Sequence, residues 1–130
     1  MSAPNIVNVT TITGKIFYDA LADTNLTSLV LNPASSGKVL KINMLTDSNV
    51  DGTNAASVDV SYPPSTTTAV GSTVTSTGYP IAKTISVPAD ATLVVISKDT
   101  SIYMEESSVL AVKASAADDI DFVVSYEEIS

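Results

Sequence analysis

Residues 120–127 read IDFVVSYE, and this stretch decides the fold class. Ile120, Phe122 and Val124 recur at every second position, and Tyr126 continues the series. Successive side chains of a β-strand point to opposite faces, so a strand with one buried face needs this period of two. The stretch therefore predicts a half-buried β-strand near the end of the chain.

The same period recurs upstream. Three further strands are predicted with these shared faces: Leu40, Ile42 and Met44; Val58, Val60 and Tyr62; Ile81, Lys83, Ile85 and Val87. Runs rich in Val, Ile and Thr predict four more, at Thr27–Leu31, Thr92–Ser97, Ser101–Glu105 and Val109–Ala116. About eight short strands separated by turn residues predict an all-β, single-domain antiparallel β-sandwich or jelly-roll-like fold. Helix is scarce, with one short helical turn predicted near Tyr18–Asp23.

Two segments fall outside this pattern. Residues 1–14 are rich in Asn and Thr and are predicted to form an extended N-terminal arm, which leaves residues 15–130 as the β-sandwich domain. Residues 63–79, which begin Pro63-Pro64, are predicted to form a long polar loop. Two interpretations of these segments are open. They are simply flexible, or they contact neighbouring subunits, for example by adding a strand to another sheet.

Composition excludes several kinds of chemistry. The 130 residues include no Cys and no His, and reading the sequence shows no Arg. The chain therefore lacks the commonest general base, thiol nucleophiles and the usual transition-metal ligands, so we expect no enzyme activity and no cofactor. A net charge of −8 argues against a nucleic-acid partner. No apolar run is long enough for a membrane helix, and no signal peptide is evident, so synthesis in the cytoplasm is expected.

One short motif resembles a metal-binding loop. Asp47, Asn49 and Asp51 place oxygen-bearing side chains at alternate positions before Gly52, as in the first half of a calcium-binding loop. The twelfth position is Val58, where such a loop requires a bidentate Glu. The three residues are therefore a weak metal candidate, and the alternative is a polar hairpin loop whose side chains cap local turns.

Candidate interface residues come from the arm and from the tyrosines. Tyrosine is enriched in interfaces because it buries a large area and keeps a polar group. The candidates are Ile6, Val7, Val9, Ile12, Tyr62, Tyr79 and Tyr103.

Residues 26–43, LTSLVLNPASSGKVLKIN, resemble the opening of a group of small tailed-phage virion proteins: a strand, an NP…G turn and a strand beginning K-V-x-K-I. The end of the chain is similar to theirs as well. Residues 98–106 (KDTSIYMEE) and 125–129 (SYEEI) stand where those proteins have K-D-T-x-I-Y-L-E-E and S-Y-E-E-I. The resemblance covers residues 26–130 and leaves the arm uncovered.

The resemblance implies a non-enzymatic virion protein, specifically a capsid decoration (cement) protein of a bacteriophage. Such proteins are β-rich homo-oligomers, with a trimer favoured, that bind the outer surface of the head and bridge subunits of the major capsid protein. The expected location is the head surface of the virion, after synthesis in the host cytoplasm. Two alternatives stay open: a structural protein of the tail, neck or fibre base, and a calcium- or carbohydrate-binding β-module.

Overall fold

A computed structural model describes residues 7–62, 69–75 and 78–130. These residues form nine β-strands: β1 (Ile12–Ala20), β2 (Thr27–Asn32), β3 (Val39–Asn49), β4 (Ala56–Tyr62), β5 (Tyr79–Val87), β6 (Thr92–Ile96), β7 (Ile102–Met104), β8 (Ser108–Ala114) and β9 (Ile120–Ile129). A single turn of 3-10 helix lies at Lys98–Thr100. Within the described ranges, no helix is long and apolar enough to cross a membrane.

The strands form two antiparallel sheets. Sheet A has the order β1-β9-β3-β6, with β7 also pairing with β3, and sheet B has the order β2-β8-β4-β5. Four of the strand pairs form one long antiparallel hairpin whose turn lies between β4 and β5. These pairs are β4–β5, β3–β6, β2–β8 and β1–β9. Rolling this hairpin brings β9 beside β3 and β8 beside β4. This is the topology of a jelly roll, and it confirms the predicted all-β antiparallel sandwich.

The core fills the space between the two sheets. On β9, Ile120, Phe122 and Val124 are fully buried, and Tyr126 packs against them from the edge, as the alternation predicts. The inner sides of the other strands supply the remaining fully buried large side chains, including Leu29, Ile42, Leu45, Val58, Val60, Val87, Ile96, Met104 and Leu110. Complete burial of an apolar side chain contributes about 1.5–3 kcal/mol, so this alternation is the main source of stability.

All eight predicted strands are present, but β1 and its surroundings differ from the prediction. The helical turn expected near Tyr18–Asp23 is wrong, because Tyr18 to Ala20 belong to β1 and no helix follows them. β1 begins at Ile12, so residues 12–14 of the predicted arm pair with β9. On the side of β1 that faces the core, only Phe17 is apolar and packs on it. The usual buried alternation is therefore missing from this strand.

Two of the predicted strand faces are wrong because the strands contain β-bulges. A register shift in β3 between Ile42 and Met44 places Leu45, rather than Met44, in the core. In β5 a similar shift places Ala82 opposite Val60, where Ala82 packs against the core. The predicted common face of Ile81, Lys83, Ile85 and Val87 is therefore broken, because a bulge inserts an extra residue and reverses the alternation beyond it.

Part of the predicted loop at 63–79 lies on the protein's own sheet B. Ser28 of β2 donates its backbone amide to Ser72 (2.9 Å) and accepts one from Gly71 (2.9 Å), and Val74 donates to Leu26 (2.7 Å). Residues 69–75 therefore run along the outer edge of β2. Residues 63–68 and 76–77 of the loop, and residues 1–6 of the arm, lie outside the described residues.

Candidate interaction surface

The outer face of sheet A carries apolar side chains that are open to solvent. Strand register places Tyr18, Val123, Thr46 and Val94 in one row across β1, β9, β3 and β6. Tyr18 is 73% exposed and Val94 is 57% exposed. We define the sheet A face as Ile16, Tyr18, Met44, Val94, Tyr103 and Val123. Several exposed apolar side chains on one face mark an interaction site more often than isolated exposed residues do.

A shallow hollow of about 500 Å³ lies on the sheet A face. Its lining residues are Lys41, Asn43, Met44, Thr46, Val94, Ser97, Lys98 and Glu127. Two lysines and one glutamate give this lining a net charge of +1, whereas the whole chain carries −8. The Lys41 ammonium also lies 6.0 Å from the ring centre of Tyr103. The hollow can therefore receive an apolar side chain with a carboxylate beside it.

The outer face of sheet B is different, because the chain covers part of it. Val74 belongs to residues 69–75, which run alongside β2. Its side chain is only 5% exposed and packs on Val109 and Ala111 of β8. Leu26 and Leu31 complete this second small core. The remainder of the sheet B face is a groove around Asp59, Lys83 and Lys113, and β5 beside it exposes Tyr79 (82%) and Ile81 (41%). Of the two outer faces, sheet A therefore presents the larger uncovered apolar surface among the described residues.

The six lysines are arranged in pairs, each near one carboxylate. Lys15 and Lys38 bind the two oxygens of Glu128, at 2.6 and 3.0 Å. Lys83 and Lys113 flank Asp59, and Lys41 and Lys98 line the same hollow as Glu127. The hydrogen bond from Lys15 leads the effects that lower the pKa of Glu128, and Lys38 reinforces it against the opposing effect of burial. Of the fourteen acidic residues, eleven remain without a lysine pair, so most of the surface is negative.

The structure separates the predicted interface residues. Ile12 begins β1 and Tyr103 lies on β7, so both belong to sheet A. Tyr62 and Tyr79 are opposite each other in sheet B, where the Tyr62 hydroxyl accepts a hydrogen bond from the Glu105 amide at 3.3 Å. Val7 is exposed and Val9 half-buried ahead of β1, whereas Ile6 lies outside the described residues. The candidates therefore do not form one patch.

The three metal candidates occupy different environments. Asn49 is buried, donates its amide to Asn54 and Val87 carbonyls at 2.9 Å, and accepts the Asp51 amide at 2.9 Å. Asp51 accepts hydrogen bonds from Thr53 (2.8 Å) and Asn54 (3.0 Å), and the Asn54 bond is the main cause that lowers its pKa. These oxygens cap the β3–β4 turn. Across the described ranges, no three His, Cys, Asp or Glu side chains come together as a metal site.

Asp47 points into the sandwich. Its register partner on β9 is Phe122, its side chain is fully buried, and neither carboxylate oxygen has a hydrogen-bond partner among the described residues. Burial therefore raises the pKa of Asp47 to about 7. A carboxyl group in this position is neutral in mildly acidic solution and charged above neutral pH.

The sequence predictions missed Ile16, Tyr18 and Val94, which are the most exposed members of the sheet A face. The sequence does contain a pattern that indicates a strand at Ile16 and Tyr18. Ile12, Gly14, Ile16 and Tyr18 alternate with Thr13, Lys15 and Phe17, which is the period of a strand. The strand was not recognised because its more apolar side faces solvent rather than the core.

No protein family model matches the sequence, and no curated protein matches it at a significant level. Among solved structures, the chain is similar to a chain of the acidic stable capsid structure of the Helicobacter pylori bacteriophage KHP30. The two chains are 9% identical, the match covers 95% of this chain and 90% of that chain, and the TM-score is 0.46. Likeness of this degree does not establish a common fold or a common function.

Proposed function

We propose that this protein is a non-enzymatic structural component of a tailed-phage virion, a decoration (cement) protein on the outside of the head. The observation that carries the proposal is the uncovered apolar face of sheet A, which extends from Tyr18 on β1 to Val94 on β6. The sequence resemblance over residues 26–130 suggests the class of partner, which is the major capsid protein. The jelly-roll topology is also used by viral capsid proteins, although lectins and cupins share it.

The proposed mechanism is bridging. A rigid sandwich that buries its sheet A face on two neighbouring capsid subunits, or that joins them as a homo-oligomer, resists their separation. A stable contact needs roughly 1,000 Å² of total buried area. The row across four strands, apolar except for Thr46, would supply the desolvated centre of such a contact. Lys41 and Lys98 at the hollow would pair with acidic side chains of the capsid surface, which would orient the contact more than strengthen it.

The test is binding of the purified chain to phage heads that lack it. Val94→Lys places a charge in the hollow of the sheet A face and is expected to abolish binding. Val50→Lys is the matched control, because Val50 is similarly exposed (52%) but lies in the turn after β3. If Val94→Lys binds as well as the natural chain, the sheet A face is not the contact. If neither the natural chain nor any variant binds phage heads, the proposed function is wrong.

The copy number distinguishes the head from the tail. Quantitative mass spectrometry of purified virions is expected to find this chain at a fixed, large fraction of the major capsid protein. A few copies per particle would instead assign it to the tail, neck or fibre base. Its absence from virions would favour a calcium- or carbohydrate-binding module.

A further inference from the structure

Among the described residues, β1 is a sheet edge that no segment covers and that no proline or bulge interrupts, although it carries Lys15 and Asp19. Residues 69–75 cover β2, and β5 carries Pro80, Lys83 and a bulge. The remaining edge of sheet A is broken into β6 and β7, which have five and three residues. β1 has nine residues, contains no proline and pairs only with β9 among the described strands. A long, exposed edge of this kind is a template for an additional strand.

We propose that the added strand is β1 of a second copy of this chain, in an antiparallel pair around a two-fold axis at Phe17. This inference does not require the proposed function, because it is argued from the edge of β1, although it shares Ile16 and Tyr18 with the sheet A face. It predicts a dimer, whereas the sequence resemblance favours a trimer. The symmetry makes the interface isologous, so each residue contact occurs twice.

The charges on β1 select both the partner and the register. A two-fold axis perpendicular to the sheet keeps every side chain on its own face, so it must lie midway between a residue and the same residue of the other copy. With the axis at Phe17, Lys15 of each copy is directly opposite Asp19 of the other. With the axis at Ile16 or Tyr18, neither charge is opposite its complement. Opposite charges stabilise a cross-strand pair and like charges destabilise it, so the Phe17 register is favoured.

The side chains are available for this pairing. The Asp19 side chain makes no hydrogen bond or ion pair with another described residue, and Lys15, which pairs with Glu128 at 2.6 Å, is still 47% exposed. On the outer side, Ile16 of each copy would lie opposite Tyr18 of the other, and both are exposed in the single chain. Pairing would therefore cover these two apolar side chains and join the two copies of sheet A into one continuous sheet.

The first test is the mass of the purified chain in solution, measured by light scattering over a range of concentrations. A dimer is expected. Asp19→Lys would replace both opposite-charge pairs of the symmetric interface with lysine–lysine pairs. It is therefore expected to raise the dimer dissociation constant roughly tenfold or more. Asp23→Lys changes the net charge equally but lies beyond β1, so it should remain dimeric. A monomer at the highest concentration reached, or a trimer, would overturn the proposal.

The second test measures the register and does not depend on the charge variants. The chain contains no cysteine, so disulfides can form only between introduced ones. Opposite residues of an antiparallel pair have Cα atoms roughly 4.5–5.5 Å apart, which a disulfide can bridge. A mixture of Ile16→Cys and Tyr18→Cys chains, differing in mass, should cross-link as the mixed species. Cross-linking of Ile16→Cys with itself would contradict the register, and cross-linking no faster than Val50→Cys would contradict the pairing.

Discussion

Asp59 on β4 and Thr84 on β5 are joined by a hydrogen bond in which the Thr84 amide donates to the Asp59 carboxylate at 2.6 Å. The other Asp59 oxygen binds the Lys83 ammonium at 3.1 Å. Thr84 has a φ of 52°, a left-handed conformation that β-branched residues rarely adopt. The carboxylate therefore stabilises the bulge that turns Ala82 toward the core and breaks the alternation of β5.

Asp59→Ala is expected to destabilise the protein by about 1–3 kcal/mol at pH 7, because the strained bulge loses a charge-assisted hydrogen bond. Burial alone would raise the pKa of Asp59, but the Thr84 amide, Lys83 and Lys113 outweigh it and lower the pKa. The carboxylate is therefore stabilising at neutral pH, and this contribution disappears as the pH falls below about 4. Urea unfolding at pH 7 and pH 3 measures both effects.

Lys83→Ala is the control for this prediction. It removes the ion pair, whose lysine is 70% exposed, but leaves the Thr84 hydrogen bond, so its cost should be below about 1 kcal/mol. Equal losses in the two variants would show that the bulge does not depend on the Thr84–Asp59 hydrogen bond.

Asp47→Asn is expected to stabilise the protein at pH 8 and to change its stability little at pH 5. The pKa of Asp47 is raised to about 7, so the folded state holds a proton that the unfolded state has released above pH 4. The stability of the natural chain should therefore fall as the pH rises from about 4 to 7, by up to about 4 kcal/mol. The asparagine side chain has nearly the same shape as that of Asp47 but does not titrate, so the stability of the variant lacks this pH dependence.

Denaturant midpoints measured across this pH range test the prediction for Asp47. Asp23→Asn, at an exposed position before β2, is the control and should leave the pH profile unchanged. An Asp47→Asn profile that declines as steeply as that of the natural chain would assign the decline to another group.

Asn32→Ala is expected to destabilise the protein by about 2–4 kcal/mol. The Asn32 amide donates to the carbonyls of Lys38 (2.9 Å) and Met104 (3.1 Å), and its oxygen accepts the Ser36 hydroxyl (2.6 Å). The residue is fully buried at the end of β2, so its removal would leave buried partners unsatisfied. Asn25→Ala, at an exposed position, should cost far less in the same unfolding measurement.

Calcium is expected to leave the melting temperature unchanged. The Asn49 and Asp51 oxygens already accept hydrogen bonds within the β3–β4 turn, and Asp47 lies inside the sandwich. Asp51→Ala should lower the melting temperature by the same amount with calcium or with a chelator, because it removes turn contacts rather than a ligand. Stabilisation of the natural chain by calcium, lost in this variant, would instead establish a calcium site.

Sequence alone predicted the strands whose buried side is apolar, and β9 is the clearest case. It could not predict the bulges, because Asp59 reaches Thr84 across 25 residues of sequence and only the paired sheet brings them together. It missed β1 because Phe17 is the only apolar residue on its inner side. Since β1 supplies Ile16 and Tyr18, missing the strand also meant missing two of the six residues of the sheet A face.

The pairing of the first strand with the last has a consequence for how the chain folds. Ile12 is opposite Ile129, so pairing β1 with β9 closes a loop that spans nearly the whole sequence. The hairpin of β4 and β5 joins nearby segments and has the smallest loop to close, whereas each outer pair closes a longer one. Folding should thus proceed from the middle of the sequence outward and slowly, in milliseconds to seconds, as in other proteins of high contact order.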